Sequence, residues 1–239
     1  MNSAASEIRP LVMRFFRQQK ELYGDELLFS DPVFAKWPRP SDQIQSLNDF
    51  TGQVYNCTKC RLSATRHHIV IGAGRPNASV MLIGEAPGEE EDLRGEPFVG
   101  KAGQLLTQIL KAIEFNREDV YITNILKCRP PNNRDPVYEE IQHCLPYLFT
   151  QIQVIQPKII VALGRVAAQT LLNTSASLNQ LRESHSSFQG IPVCVTFHPA
   201  ALLRNPEWKH HTWKDIQAVR HLYDRIVGDK GKWKQARAK

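Results

Sequence analysis

The sequence contains few cysteines for its length and no long apolar segment. Only five of its 239 residues are cysteine. That odd number is too small for a disulfide framework, so we expect a reducing compartment in which the thiols bind a metal or a cluster. No apolar run approaches the roughly 18 residues that a membrane-spanning helix needs. The N-terminus, MNSAASEIRP, lacks the basic start and apolar stretch of a secretory signal. We therefore expect a cytoplasmic protein with no membrane association.

The composition favours one main domain and a polyanionic partner. Hydrophobic residues make up 42% of the chain, enough to bury one sizeable core. The formal net charge is +6 and the isoelectric point is about 9.1. Because each neutralised phosphate releases counterions and adds affinity, such a charge is typical of nucleic-acid-binding proteins, although many basic proteins bind none.

Three regions are expected along the chain. Residues 1–45 form an N-terminal helical extension and linker, residues 46–228 the main domain, and residues 229–239 a basic tail that we expect to be disordered. One face of the extension's helix would be apolar, formed by Leu11, Val12, Phe15, Phe16 and Leu22. Packing of this helix on the main domain is the simplest interpretation, and a helix that binds a membrane surface or a partner protein is the alternative.

In the main domain, apolar strand patterns alternate with helical patterns. We predict strands at 79–84, 119–123, 158–164 and 191–197, and helices at 101–114, 137–155, 164–173 and 211–227. Such alternation implies parallel pairing through right-handed crossovers. The predicted fold is therefore a three-layer α/β/α arrangement around a central four-stranded parallel sheet, with the N-terminal helical extension added to it.

Four of the cysteines have the spacing of a metal or cluster site. Cys57 and Cys60 form a C-x2-C pair in a polar turn, and Cys128 and Cys144 are separated by fifteen residues. Thiolates bind soft metals, so zinc and a [4Fe-4S] cluster both remain candidates, and the wide second pair slightly favours the cluster. Cys194 lies inside a predicted strand and is interpreted as a buried core thiol.

Two acidic or glycine-rich segments carry weaker signals. GEPFVGKA (95–102) resembles a phosphate-binding loop, but Ala102 replaces the magnesium-binding hydroxyl and Pro97 removes a backbone donor. Nucleotide hydrolysis is therefore excluded. The acidic run EEED (89–92) is interpreted as a solvated feature that opens a helix or loop and complements its dipole.

Three polar residues stand where predicted strands end. Glu85 follows strand 79–84 in a tight turn and could position a water molecule. His198 follows the last strand in FHPA, and Asn124 ends a third strand with an amide that can both donate and accept. Since parallel sheets bind ligands at the carboxyl ends of their strands, we expect these side chains to share one site.

Five segments in order resemble the family-four uracil-DNA glycosylases, which are iron–sulfur enzymes of the uracil-DNA glycosylase superfamily. The segments are CTKCRLSATR, IGEAPGEEEDLRGEPFVGKAGQLL, VYITNILKCRPPNNRDP, ALGRVAAQTLL and TFHPAALLRNP. The resemblance runs from about Cys57 to Arg220 and leaves out the N-terminal extension and the tail. It implies a base excision repair enzyme that flips uracil out of DNA, single- or double-stranded, and hydrolyses its N-glycosidic bond.

The resemblance also implies roles for individual residues. It makes Cys57, Cys60, Cys128 and Cys144 the ligands of a [4Fe-4S] cluster, structural or DNA-positioning in role. It implies that Phe98 stacks on the flipped uracil, that Asn124 reads its polar edge and that His198 donates to its O2 atom. Glu85 would help to orient the attacking water. The turn that carries Gly84, Ala86 and Gly88 would supply backbone donors.

Further residues are expected to contact the DNA. The segment HPAALLRNP (198–206) would enter the minor groove, with Leu202, Leu203 or Arg204 filling the gap left by the flipped nucleotide. The candidates for phosphate contacts are Lys101, Lys127, Arg129, Arg134 and Arg165.

Two departures and two alternatives accompany this interpretation. Better-known uracil-DNA glycosylases carry GQDPY, in which the aspartate activates water and the tyrosine blocks thymine. Here Ala86 and Gly88 stand at those two positions. The identity of the general base is therefore not assigned, and another residue, for example Glu85, must exclude thymine. Glu183 stands where the family commonly has glycine. A protein that captures uracil-DNA covalently is one alternative, although no basic insertion lies between Asn124 and Pro136. The other is a cluster-bearing accessory module that docks to a repair or replication partner through the N-terminal helix. A monomer is the default oligomeric state.

Overall fold

The structure is a computed structural model that describes residues 46–231. Within these residues the chain forms eight α-helices and six strands. The helices are α1 (Leu47–Val54), α2 (Glu89–Arg94), α3 (Lys101–Ala112), α4 (Tyr138–Ile155), α5 (Arg165–Leu172), α6 (Leu178–Glu183), α7 (Pro199–Arg204) and α8 (Lys209–Ile226). The strands are β1 (Ala73–Gly74), β2 (Val80–Gly84), β3 (Tyr121–Asn124), β4 (Ile159–Leu163), β5 (Ser186–Phe188) and β6 (Ile191–Thr196). The helix predicted in residues 1–45 lies outside the described residues.

The strands form one mixed sheet in the order β1-β3-β2-β4-β6-β5. Its four central strands are the predicted ones, and each pairs in parallel with its neighbour. The predicted strand number was wrong, because β1 and β5 add antiparallel strands at the two edges. These edge strands have only two and three residues and lack a buried apolar run, so no strand pattern indicates them.

Helices cover both faces of the sheet. Val80 and Leu82 of β2 pack into one core together with residues of α3 and α8. Side chains alternate along a strand, so Met81 and Ile83, both fully buried, point to the opposite face. On that face the Gln151 side chain of α4 reaches the Tyr121 hydroxyl of β3. The predicted three-layer arrangement is therefore confirmed for the described residues.

The four predicted helices are present within a few residues of their predicted ends. In α3 the buried residues Gly103, Leu106 and Leu110 form one face. Four shorter helices, α1, α2, α6 and α7, were not predicted as helices, since six to eight residues are too few for a clear helical period. No helix of the described region is long and apolar enough to span a membrane.

The first residues of the predicted tail contact the domain. The Tyr223 hydroxyl donates a short hydrogen bond to Asp229, and Lys230 forms an ion pair with Asp119 at 3.0 Å. The carbonyl oxygen of Gly231 accepts a hydrogen bond from Arg220 at 2.9 Å. These polar contacts connect residues 229–231 to α8 and to the turn that ends at Asp119, and the rest of the predicted tail lies outside the described residues.

The strand register brings the chain segments of interest to one edge of the sheet. Gly84 at the end of β2 pairs with Asn124 at the end of β3. On the other side of β2, Leu163 of β4 pairs with Thr196 of β6, two residues before His198. Because these strands run in parallel, the segments that follow them emerge together.

Candidate active site

A cavity of about 340 Å³ opens at the carboxyl edge of the sheet. This volume lies within the range of about 300–1,000 Å³ that is typical of small-molecule sites. The structure brings together eight of the residues predicted for the site or for DNA contacts, which line this cavity: Glu85, Ala86, Gly88, Phe98, Asn124, Arg134, His198 and Arg204. A base-sized ligand would therefore meet an aromatic ring, an amide, an imidazole and a carboxylate.

The Asn124 side chain is buried without a hydrogen-bond partner for its oxygen. Asn124 is 1% exposed, and its Oδ1 accepts no hydrogen bond from any described residue. Gly84 makes this placement possible, since a Cβ there would overlap the Asn124 oxygen and approach Phe98 Cζ to 2.6 Å. Leaving a buried acceptor unpaired costs roughly 1–3 kcal/mol, so this oxygen is suited to a ligand donor.

Phe98 is held in an unusual backbone conformation. Its φ is 53°, in the left-handed region that bulky residues rarely adopt. Two contacts hold it there, since Arg117 donates to the Phe98 carbonyl oxygen at 3.0 Å and to that of Pro97 at 2.8 Å. A Cβ at Gly103 would collide with the Phe98 carbonyl group, so α3 can approach only through glycine. The ring is 6% exposed and lies 5.5 Å from the His198 ring.

Glu91 fixes the other end of the same loop. Its Oε1 accepts hydrogen bonds from the backbone of Val99 at 2.8 Å and Gly100 at 2.9 Å, just before α3 begins. Glu91 also lines the cavity. Neither Glu91 nor Arg117 was predicted as a site residue. Their partners lie 8 to 20 residues away along the chain, so no local pattern indicates the contacts.

The acidic run 89–92 is solvated only in part. As predicted, the run begins a helix, α2, but Asp92 is 1% exposed. Asp92 accepts a hydrogen bond from the His67 backbone at 3.0 Å and lies 2.7 Å from His67 Nδ1. The solvated interpretation is therefore wrong for Asp92, which ties α2 to the segment that follows the first two cysteines.

His198 combines a structural contact with a free donor position. It precedes α7, and its Nδ1 accepts a hydrogen bond from the Ala200 backbone at 3.2 Å. A nitrogen that accepts carries no proton, so the neutral ring has its proton on Nε2. Burial, together with the positive charge of Arg204 and opposed by Glu91, lowers the pKa of His198 to about 4. The imidazole is therefore a neutral donor near pH 7.

Glu85 has a raised proton affinity. Burial, reinforced by the negative charge of Asp135, raises the pKa of Glu85 to about 7, and the positive charge of Arg165 acts in the opposite direction. Arg165 and Asp135 form an ion pair at 3.2 Å. A carboxyl group that titrates near neutral pH is suited to accept a proton from, or orient, a water molecule.

Two of the predicted DNA contacts are not available at the surface. Leu202 is 1% exposed, so Leu203, at 45%, is the leucine of this segment that reaches solvent. Leu202 is instead one of the residues along a groove between α3 and α8. The phosphate assignment of Lys127 was wrong, because this residue is 0% exposed.

The remaining basic candidates are near the cavity or exposed. Arg134 lines the cavity but forms a two-bond ion pair with the buried Glu140, at 2.9 and 2.6 Å. Arg129 hydrogen-bonds to Asn133 at 2.8 Å. Lys101 is exposed at the start of α3, and Arg204 is exposed at the end of α7.

A second cavity lies between α4 and the turn that carries the C-x2-C pair. It is lined by all four predicted cysteine ligands: Cys57, Cys60, Cys128 and Cys144. Three donors point at their sulfur atoms. Arg66 donates to Cys128 at 3.3 Å, the Lys127 backbone to Cys144 at 3.2 Å and the Tyr147 hydroxyl to Cys57 at 3.2 Å.

Within residues 46–231, no group of three or more His, Cys, Asp or Glu side chains has the arrangement expected around a metal ion.

Cys194 does not line the cysteine cavity, and burial raises its pKa to about 11. It lies in β6 and packs against the main core, but it is only partly buried, so the prediction of a buried core thiol is met in part.

Comparison with known families agrees with this architecture. The family model described as the uracil DNA glycosylase superfamily matches residues 71–218, more than half of the chain. This range contains both the sheet and the cavity at its carboxyl edge. The chain therefore belongs to the uracil DNA glycosylase superfamily.

Individual relatives narrow this assignment. The chain is 43% identical over 187 residues to the type-4 uracil-DNA glycosylase of Archaeoglobus fulgidus, covering 75% of this chain and 94% of that protein. It is 44% identical over 188 residues to the type-4 enzyme of Sulfurisphaera tokodaii, covering 75% and 86%. The type-4 enzyme of Thermotoga maritima is 45% identical over 155 residues, covering 64% and 81%. Within the superfamily, the chain therefore groups with the type-4 members.

Proposed function

We propose that this protein is a uracil-DNA glycosylase that hydrolyses the N-glycosidic bond of uracil flipped out of DNA and leaves an abasic site. The observation that carries the proposal is the buried Oδ1 of Asn124, which has no partner among the described residues. Uracil presents an N3–H donor beside its O4 acceptor, and one side-chain amide can satisfy both. Cytosine presents an acceptor and an amine there, so both sides would remain unpaired.

The residues around Asn124 suit the rest of the base. The Phe98 ring offers a stacking surface, and stacking of a base on an aromatic ring contributes about 1–3 kcal/mol toward the cost of unstacking. His198 lines the same cavity, and the proton on its Nε2 is available for donation to uracil O2. These three groups together recognise the face and the polar edge of uracil.

The chemistry follows from the charge that develops as the bond breaks. Negative charge grows on the departing uracil, and a donor at O2 stabilises it most in the transition state. His198 is neutral near pH 7 and carries a proton on Nε2. It can therefore stabilise the negative charge by donating a hydrogen bond, without transferring a proton. Glu85, when ionised, accepts a hydrogen bond from the water that attacks the sugar carbon.

We propose further that Cys57, Cys60, Cys128 and Cys144 hold a [4Fe-4S] cluster. Four thiols line one cavity, and hydrogen bonds from Arg66 and Tyr147 to two of the sulfurs suit thiolate ligands. A bound cluster would cross-link the turn at 57–60, the segment after β3 and helix α4. Its role in this proposal is structural, because the cavity that receives uracil is a separate one.

The proposal is tested with purified protein and a labelled oligonucleotide that contains one uracil. The sample is incubated in EDTA, treated with alkali and run on a denaturing gel, with a thymine oligonucleotide as control. Cleavage at uracil that depends on the alkali step supports a monofunctional glycosylase. A retarded band that survives denaturation would instead indicate covalent capture. Iron, sulfide and zinc are measured on the same sample, and zinc without iron would contradict the cluster assignment.

A further inference from the structure

Lys127 is a fully buried lysine whose three donors all have partners. Its Nζ lies 2.7 Å from Thr123 Oγ1, 2.7 Å from the Asn124 carbonyl oxygen and 2.6 Å from Gln151 Oε1. An ammonium group has three N–H donors and no acceptor, so these three oxygens satisfy it completely. The distances are those of charge-assisted hydrogen bonds.

The acceptors around Lys127 are themselves held in place. The Thr123 hydroxyl donates to the Ile71 carbonyl oxygen at 2.8 Å, which leaves its lone pairs toward Lys127. The Gln151 amide nitrogen donates to the same carbonyl at 2.8 Å and to the Tyr121 hydroxyl at 3.0 Å. This orientation of the amide turns Gln151 Oε1 toward the ammonium group. Three oxygen atoms are therefore held in fixed positions around the Lys127 nitrogen.

The main chain of Lys127 faces the cysteine cavity. Its N–H donates to Cys144 Sγ at 3.2 Å, and its carbonyl oxygen accepts from the Val70 backbone at 2.7 Å. Lys127 precedes Cys128 and itself lines the cavity that the four cysteines share. One residue thus contacts a cysteine through its backbone and Asn124 through its side chain.

A charged Lys127 would need a counter-charge nearby. Burial of an ammonium group is costly unless it is paired. In the described part of the chain no carboxylate forms an ion pair with Lys127. Its three hydrogen-bond acceptors are neutral oxygens. The cysteines of the neighbouring cavity would supply negative charge beside it once they bind a cluster as thiolates, and the nearest printed contact is the 3.2 Å hydrogen bond from the Lys127 backbone to Cys144 Sγ.

We infer that Lys127 is a positioning residue that couples the four-cysteine cavity to the uracil-reading amide of Asn124, with the thiolate-bound cluster as its counter-charge. The inference rests on the proposed function. Its mechanical part is the hydrogen bond to the Asn124 carbonyl, which fixes the last residue of β3 and with it the direction of the side chain. Its electrostatic part is the positive charge beside the cluster.

The test compares Lys127→Met with Lys111→Met, which changes an exposed lysine at the end of α3. Two quantities are measured on iron-containing protein: the inhibition constant of free uracil and the reduction potential of the cluster. For Lys127→Met we expect uracil to inhibit about tenfold more weakly, since hydrogen bonds from a charged donor to Asn124 are lost. We also expect a more negative potential, because a positive charge beside the cluster favours its reduced form.

The inference is overturned if either quantity in Lys127→Met equals that of the wild-type protein. Should Lys127→Met fail to fold, Thr123→Val decides, because it removes one of the three oxygen acceptors and keeps the charge. We then expect weaker uracil inhibition at unchanged iron content, and wild-type inhibition would overturn the inference. Wild-type protein that lacks iron or does not release uracil would refute the proposed function itself, before any variant is compared.

Discussion

The guanidinium of Arg117 holds the carbonyl oxygen of Phe98 at 3.0 Å and thereby supports a left-handed backbone conformation at a bulky residue. Without this contact the loop can relax to an ordinary conformation and move the ring away from the cavity. Phe98 would then have to be ordered again each time a base enters. Arg117 therefore acts on the base through Phe98 and does not line the cavity itself.

We expect Arg117→Met to lower kcat/KM for uracil excision by about 10- to 100-fold, the range for hydrogen bonds from a charged donor. The comparison is Arg75→Met, which changes an exposed arginine that bonds to Asn77. Steady-state kinetics and thermal unfolding are measured for both variants. Wild-type kinetics in Arg117→Met would show that Phe98 keeps its place without the contact.

Gly84→Ala should abolish most activity while leaving the fold intact. The added methyl group would overlap the Asn124 oxygen and the Phe98 ring, so both must shift out of position. The matched control is Gly52→Ala in helix α1, where nothing lies within 4 Å of the new Cβ. That control should keep full activity and gain about 0.5–1 kcal/mol of stability, because glycine is unfavourable inside a helix. Circular dichroism and the gel assay distinguish the two, and an active Gly84→Ala would contradict the geometry.

The pH profile of kcat/KM should follow the ionisation of Glu85. Its pKa of about 7 means that the carboxylate forms as pH rises, so activity should increase through about pH 7 and then level off. His198 is already neutral above about pH 4 and adds no further change in this range. Glu85→Gln should remove the rise.

Asp135→Asn supplies the internal control for this profile. Asp135 raises the pKa of Glu85, so its neutralisation should move the rise to lower pH. A profile that does not move in Asp135→Asn would exclude Glu85 as the titrating group.

The raised pKa of Glu85 also affects the stability of the fold. Between the ordinary value of 4.5 and about 7 the folded protein retains the proton, so the free energy of unfolding should fall as pH rises across this window.

Loss of the cluster and loss of catalysis should be separable. We expect His198→Ala to keep the brown colour that an iron–sulfur cluster gives the protein. Its rate should fall by about 10²- to 10³-fold, the usual effect of removing one transition-state donor. Cys57→Ala should lose both iron and thermal stability. Cys194→Ala, outside the cysteine cavity, is the control and should keep its iron. Equal loss of colour in His198→Ala and Cys57→Ala would refute this division of roles.

Much of the sheet could be predicted because its central strands are continuous buried runs, such as VMLIG in β2 and IIVAL in β4. Parallel pairing then placed Glu85, Asn124 and His198 at one edge, where the structure has the cavity. The edge strands β1 and β5 could not be predicted, since two or three residues carry no detectable period.

The contacts that hold the site residues in place could not be predicted from the sequence. Glu91, Arg117 and Lys127 have ordinary local surroundings, and each acquires its role from a partner that only the folded chain brings near. Lys127 is the clearest example of a residue whose role could not be predicted from the sequence. Its charge suggested a phosphate contact, whereas in the structure it is fully buried and donates to the Asn124 carbonyl oxygen.

The most direct test of the central claim is single-turnover release of uracil from a uracil-containing oligonucleotide, measured for the wild-type protein and for Asn124→Ala. The account predicts that the wild-type protein releases uracil and that the variant is slower by at least about a hundredfold, because the polar edge of the base is no longer matched. A wild-type protein that releases no uracil, or a variant that releases it at the wild-type rate, would contradict the account.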